Sequence, residues 1–156
     1  MTLPKFIACC SVILLLFSCN KNAEKVVMNE LNGKWGKKEI QNFRFEVTDF
    51  QNLKNIIFVV RNNNEYPYSN IRLIVDLRND QTKQKEVDTL NYILAKPNGE
   101  WIGQGFGETK ETLFQYKLNY KFPRNGSYTL GMIQAMRADT LPGIEDIGVK
   151  IETAKP

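Results

Sequence analysis

Hydrophobic and polar residues alternate along this chain in short bursts, each bounded by residues that favour turns. Phe43, Phe45 and Val47 alternate with Arg44, Glu46 and Thr48. A period of two sends one set to a buried face and the other into water, which predicts a half-buried strand. Ile71, Leu73, Val75 and Leu77 repeat the pattern against Arg72, Ile74, Asp76 and Arg78. So do Phe114, Tyr116, Leu118, Tyr120 and Phe122 against Gln115, Lys117, Asn119 and Lys121. The run Ile56-Ile57-Phe58-Val59-Val60 is short, continuous and β-branched, as expected of a central strand covered on both faces.

Lys25–Glu30 reads as a first short strand, and Asn32-Gly33 as a turn before Trp35. Val87–Ala95 is a further strand with Leu90, Tyr92 and Leu94 on one face. Tyr128, Leu130 and Met132 continue the pattern, and Ile147, Val149 and Ile151 close the domain. Met132–Arg137 fits a helical turn as well as a strand and is taken as strand. The segment Asn62–Asn70 is a polar and aromatic loop, read as joining its flanking strands into a hairpin. Asn79–Lys85 is a second, wholly polar loop, and Pro97-Asn98-Gly99, Pro123-Arg124-Asn125-Gly126 and Leu141-Pro142-Gly143 are turn signals. Eight or nine short strands without a long segment of 3.6 periodicity predict an all-β domain over 26–156. Two packed antiparallel sheets form a sandwich, either immunoglobulin-like or jelly-roll-like.

The amino terminus departs from this pattern. Met1–Lys5 is short and positive, and Phe6–Phe17 is an apolar run of twelve residues interrupted only by Ser11. As a helix it spans about 18 Å against a hydrocarbon core of roughly 30 Å, so it is an export signal rather than a membrane span. Leu16-Phe17-Ser18-Cys19 reads as a lipobox, with small Ser18 just before a cysteine. Residues 1–18 are then a lipoprotein signal peptide cleaved between Ser18 and Cys19. Cys19 becomes the first mature residue, and its sulfur carries a diacylglycerol anchor in the membrane. Residues 19–25, polar and without periodicity, are a flexible tether.

Composition removes function classes. The chain has no histidine, which deletes the commonest general base and metal ligand. Its three cysteines, Cys9, Cys10 and Cys19, lie in the leader or at its end, leaving no thiol nucleophile, zinc site or internal disulfide in the domain. The leader holds one base, Lys5, of twenty-one and none of the seventeen acids, so residues 19–156 carry a net +3. That charge is scattered, without a basic run, so no nucleic-acid partner is expected. No catalytic residue, metal ligand or cofactor is assigned.

Four stretches hold candidate chemistry. Gly103, Gly105 and Gly107 are spaced unlike any phosphate loop and precede no helix pattern, so they mark a close backbone approach in β-structure. Trp101 is either a core residue or a platform for a sugar ring. Tyr66 and Tyr68 bracket Pro67 among amide side chains, forming either a recognition surface or a plug over the end of the sandwich. Arg137, Asp139, Glu145 and Asp146 lie close in sequence, either as a loop-bracing Arg–Asp pair or as carboxylates for calcium or a hydrolase.

Taken together, Arg61–Asn70, Asp88-Thr89-Leu90, Trp101–Gly105, Gln134–Arg137 and Gly143–Gly148 resemble the gliding motility lipoprotein GldH family of Bacteroidetes over nearly the whole mature chain. The resemblance implies a cell-envelope lipoprotein needed for gliding and brings no active site with it. It points to a non-enzymatic accessory or assembly component of the gliding and adhesin-secretion apparatus. Such a component would sit in the outer membrane, on its periplasmic face rather than the cell surface, with envelope motility or secretion proteins as partners. The partner-binding face is placed on Asn63, Tyr66, Tyr68, Arg137 and Asp139. The alternative is a glycan- or peptidoglycan-binding module with Trp35, Trp101 or the two tyrosines as platforms.

Overall fold

The structure is a computed structural model that describes residues 24–155. The expected signal peptide, with Ser18 and Cys19, and the expected tether up to residue 23 lie outside the described residues. Ten strands follow: β1 (Lys25–Glu30), β2 (Lys34–Gly36), β3 (Gln41–Val47), β4 (Lys54–Asn62), β5 (Asn70–Asn79), β6 (Lys85–Ile93), β7 (Lys110–Tyr120), β8 (Gly126–Gln134), β9 (Thr140–Pro142) and β10 (Ile144–Thr153). The count exceeds the eight or nine expected from sequence because β2 and β9, three residues each, are too short to display a period. Lys25, read from sequence both as the end of the tether and as the start of the first strand, is the first residue of β1.

The strands pair as a nest. β1 pairs with β10, β2 with β9, β3 with β8, β4 with β7 and β5 with β6, every pair antiparallel. Among consecutive strands only β5 and β6 pair, at the tip of one long double ribbon. That ribbon is rolled, because β10 also bonds β4 and β8 also bonds β5. The result is a four-stranded sheet β1-β10-β4-β7, a second four-stranded sheet β3-β8-β5-β6, and the small ribbon β2-β9. The nested order with successive pairs in alternate sheets is the jelly-roll topology, which decides between the two sandwiches the periodicity allowed.

The hairpin expected across Asn62–Asn70 is therefore incorrect. β4 and β5 belong to different sheets, and the segment between them crosses from one to the other. Gln134 likewise ends β8, and residues 135–139 leave the sheet as a turn instead of extending the strand.

The alternating residues build the core. Phe43, Phe45 and Val47 from β3, Ile71, Leu73, Val75 and Leu77 from β5, and Ile56, Phe58 and Val60 from β4 are buried in one cluster between the sheets. Leu118 is the exception, half exposed despite its period-two position. One register shift in the β4–β7 ladder spans Leu118 and a second falls at Tyr116, and each reverses the parity of the strand.

The edge strands β6 and β7 face one another across the open side of the sandwich and are stitched by side chains. Tyr116 donates to Asp88 at 2.6 Å and Tyr120 to Glu86 at 2.6 Å, and the Lys117 ammonium bridges both carboxylates at 3.0 and 3.3 Å. The hydroxyl of Tyr120 and the Lys117 charge hold the Glu86 carboxyl below its ordinary range, and Tyr116 and Lys117 do the same for Asp88. Burial, then the hydrogen bonds to these carboxylates, pushes both tyrosine hydroxyls well above theirs.

Candidate functional site

The register fixes which loops share an end. Lys25 lies opposite Ile151, which lies opposite Ile56, which lies opposite Lys117. At the other end Glu30, Asp146, Arg61 and Glu111 stand in one cross-strand row. The six residues of β1 separate these ends by about 17 Å. The chain enters the domain at the first end, called here the proximal end. The connections β2–β3, β4–β5, β6–β7 and β8–β9 gather at the opposite, distal end. All five partner-binding candidates, Asn63, Tyr66, Tyr68, Arg137 and Asp139, lie on those distal connections.

Asn63 knots the β4–β5 crossover to the start of β10. Its backbone N–H donates to Gly143 O at 2.9 Å, its amide oxygen accepts from Glu65 N at 2.8 Å, and its amide nitrogen donates to the Glu145 carboxylate. Gly143 permits this approach. Its φ is +74°, and a side chain there would collide with the backbone nitrogen of Tyr66.

Tyr66 is buried, 3% exposed, and its hydroxyl donates to Asn70 O at 2.8 Å. Burial, reinforced by Tyr68, holds that hydroxyl far above its ordinary pKa, so it remains a donor. Tyr68 packs edge-on against it with ring centres 5.6 Å apart, and Trp101 lies tilted at 6.5 Å. Tyr66 is thus the plug of the two arrangements the sequence left open, while Tyr68, at 36% exposure, keeps a ring in solvent.

The turn carrying Arg137 is held by Gln134, a residue the sequence reading did not weigh. Its buried amide accepts from Met136 N at 2.9 Å and donates to Ala138 O at 3.0 Å. Met136 sulfur in turn accepts from Arg72 N at 3.3 Å. Tyr68, Asn70, Arg72, Met136 and Arg137 line one open groove of about 250 Å³. Arg72 and Arg137 are exposed, and neither forms an ion pair among the described residues. The groove therefore offers two cations and an aromatic ring on a braced frame. Tyr68 and Arg137 are brought together here, whereas Asn63 and Tyr66 serve as braces beneath them. Asp139 is exposed at the end of the turn, its backbone carbonyl accepting from Lys37 N at 2.7 Å.

The Arg–Asp pair expected near Arg137 forms elsewhere. Arg61 meets Glu111 at 2.7 Å and Asp146 at 3.6 Å, and the Glu111 hydrogen bond leads the effects that hold Arg61 protonated. Among the described residues no cluster suited to a metal ion occurs. Trp35 is fully buried, with its indole N–H donating to Glu39 O at 2.9 Å, and so presents no sugar platform. Trp101 packs partly into the core and donates to Asn64 at 3.0 Å. Gly103 and Gly105 mark a close backbone approach as expected, because a side chain there would strike the backbone of Glu111 or Thr109, whereas Gly107 has open space around it and instead takes a left-handed turn conformation at φ +65°. Gln134 gave little signal in sequence, since a lone amide at a strand end fits solvent as well as a brace. Gly143 was visible only as part of a turn.

Comparison with known proteins places this architecture. The model of the GldH lipoprotein family matches residues 26–151. A gliding motility lipoprotein GldH homolog of Christiangramia forsetii is 40% identical over 149 residues, which cover 90% of each chain. The gliding motility lipoprotein GldH of Flavobacterium johnsoniae is 35% identical over 146 residues, covering 89% of this chain and 90% of that one. Among solved structures, dimeric latent PorU from Porphyromonas gingivalis overlaps at a TM-score of 0.37 and 8% identity, over 84% of this chain and 13% of that one. A likeness at that level carries no functional argument.

Proposed function

Because the chain belongs to the GldH lipoprotein family, we propose that it is a non-enzymatic, lipid-anchored accessory of the gliding and adhesin-secretion apparatus that works by holding a protein-binding face away from the membrane. Cys19 carries the anchor, in the outer membrane and facing the periplasm. Partners are envelope motility or secretion proteins, bound through Tyr68, Arg137 and Asp139 on the frame that Asn63 and Tyr66 brace.

One observation carries this reading: the candidate residues all lie at the end of the sandwich opposite the one where the chain enters it. The six steps from Cys19 to Lys25 reach about 20 Å when extended, so an anchor at Cys19 holds the proximal end near the bilayer and turns the distal end away. A groove with two guanidiniums that have no ion-pair partner among the described residues and a half-presented ring has the composition of a contact surface. Tyr66 is not itself a contact residue, since a partner cannot reach a side chain buried to this degree.

Two measurements test the proposal in a gliding host. Metabolic labelling with palmitate should mark the wild type and not Cys19→Ala, and an unlabelled wild type would remove the anchor. Pulldown from crosslinked cells should recover envelope motility proteins with the wild type and lose them with Tyr68→Ala/Arg137→Gln. Equal recovery would move the contact face elsewhere.

A further inference from the structure

Phe106 is wholly exposed, yet it does not sit on a slack loop. Gln104 and Glu111 exchange backbone hydrogen bonds at 2.9 and 2.8 Å, and the Lys110 ammonium donates to Gly105 O and Gly107 O at 3.2 and 3.0 Å. The ring is therefore held out in water by a closed hairpin with glycine on either side. Ile102 and Leu113, each about half exposed, line an adjoining groove of about 380 Å³. Thr112 lines the same groove, is 7% exposed, and its hydroxyl has no hydrogen-bond partner among the described residues. Leu113 also ends an apolar row on the outer face of the first sheet, Met28-Gly148-Val59-Leu113, in which Met28 lies over Gly148. An exposed apolar patch of this kind marks an interaction surface.

Charge decides what covers it. The neighbouring row Glu30-Asp146-Arg61-Glu111 sets three carboxylates against one guanidinium on the same face. Glu145 adds a fourth, and with Arg61, Glu111 and Asp146 it lines a cleft of about 470 Å³ beside Phe106. The Lys110 ammonium, on the strand that carries Glu111, is engaged by the loop carbonyls. This is a locally acidic surface on a chain of net charge +4. A second copy docking on it by a two-fold axis would set acid against acid. An anionic lipid surface would be repelled, and the patch lies at the end away from residue 24.

We infer that Phe106, Ile102 and Leu113, with the flanking carboxylates, form a docking surface for a partner-protein segment that carries Lys or Arg beside apolar side chains. The apolar residues of that segment cover the phenylalanine and the Ile102–Leu113 groove, and its cation enters the acidic cleft. This surface is separate from the Tyr68–Arg137 groove, whose two guanidiniums call for the opposite charge, and it stands whether or not that groove binds.

The test places p-benzoylphenylalanine at position 106 of the full-length chain in gliding cells, with the same residue at exposed Thr89 as a control, and sequences the photo-crosslinked peptides. Expected are crosslinks from position 106, absent from 89, to protein segments of net positive charge with apolar neighbours. Adding Glu30→Gln/Glu111→Gln should lower the yield about fivefold, as the loss of two exposed charge contacts implies. Crosslinks to lipid, to another copy of the chain or to neutral or acidic segments would overturn the inference. So would the absence of crosslinks, or a yield indifferent to the two neutralised carboxylates.

Discussion

The two ends of the sandwich treat their side chains differently. At the proximal end Phe45, Phe122 and Tyr128 pack against one another with ring centres 4.7 to 6.1 Å apart. Asp80 there accepts from Ser127 and Thr129 at 3.0 Å each and meets Arg44 and Arg78. Against the burial that raises it, those hydroxyls and guanidiniums hold its carboxyl below the ordinary range. Lys54 is likewise tied to Asp49 at 2.7 Å. At the distal end Tyr68 and Phe106, the exposed large aromatics among the described residues, stand in water, and Arg72 and Arg137 have no ion-pair partner among the described residues. Groups turned inward stabilise the fold, whereas groups held outward by a rigid frame are available to something else. The aromatics and Asp80 at the end where the chain enters are engaged within the fold, and the far end holds two rings and two guanidiniums outward.

The comparison breaks first if paired substitutions fail to separate the ends. Phe122→Ala should cost about 3–5 kcal/mol in urea denaturation, as a buried ring does. Phe106→Ala should change stability by no more than about 0.5 kcal/mol. Gly143→Ala should come next, at about 1–3 kcal/mol, because it forces a side chain into a left-handed backbone conformation beside Tyr66. Hydrogen exchange should localise that damage, with faster exchange at the Asn63 and Tyr66 amides and unchanged protection in β3 and β8 near Gly126. Asp80→Asn should lose about 1–2 kcal/mol by weakening the hydroxyl and guanidinium contacts of the proximal end.

A smaller effect concerns the seam between β6 and β7. Glu86 and Asp88 have folded pKa values below their ordinary 4.5 and 3.8, so the unfolded chain binds protons first as the pH falls. Their contribution is complete above those values and is lost as the pH drops through and below them. Tyr116 and Tyr120 are raised above 10, so their share is present below pH 10 and is lost as the pH climbs beyond it. Chemical denaturation across pH should show both limbs, and Glu86→Gln/Asp88→Asn should flatten the acid one. Smallest of all, Tyr68→Ala and Arg137→Gln should each shift stability by about 0.5 kcal/mol or less. A larger loss would mean that the distal groove is structural after all.

Much of the fold was legible. Period two along β3 and β5 named the buried residues, and the continuous run in β4 named a central strand, flanked by β10 and β7, although it is not covered on both faces as expected, since Ile57 is only half-buried. The candidate loops were also found by composition, since Asn63, Gly143 and the two tyrosines stand out among strand residues. What failed was pairing. Reading Asn62–Asn70 as a hairpin assumed that strands adjacent in sequence are adjacent in the sheet, and here that holds only for β5 and β6. Leu118 failed for a related reason, because alternation persists in sequence across bulges that reverse it in space.

Local chemistry by itself determined the lipobox reading at Ser18-Cys19, the absence of histidine and folded-domain thiols, the all-β class and the set of residues that face inward. These properties are set by each residue and its immediate neighbours, so a linear reading reaches them. Only the tertiary structure decided the jelly-roll order, the burial of Tyr66 beside an exposed Tyr68, the pairing of Arg61 instead of Arg137 with Asp146, and the gathering of the candidate loops at one end. Each depends on residues far apart in sequence being brought within contact distance, as when Gly143 admits the backbone of Tyr66. Rolling a nested ribbon makes those contacts, and period-two patterning is the same whichever way the ribbon is rolled.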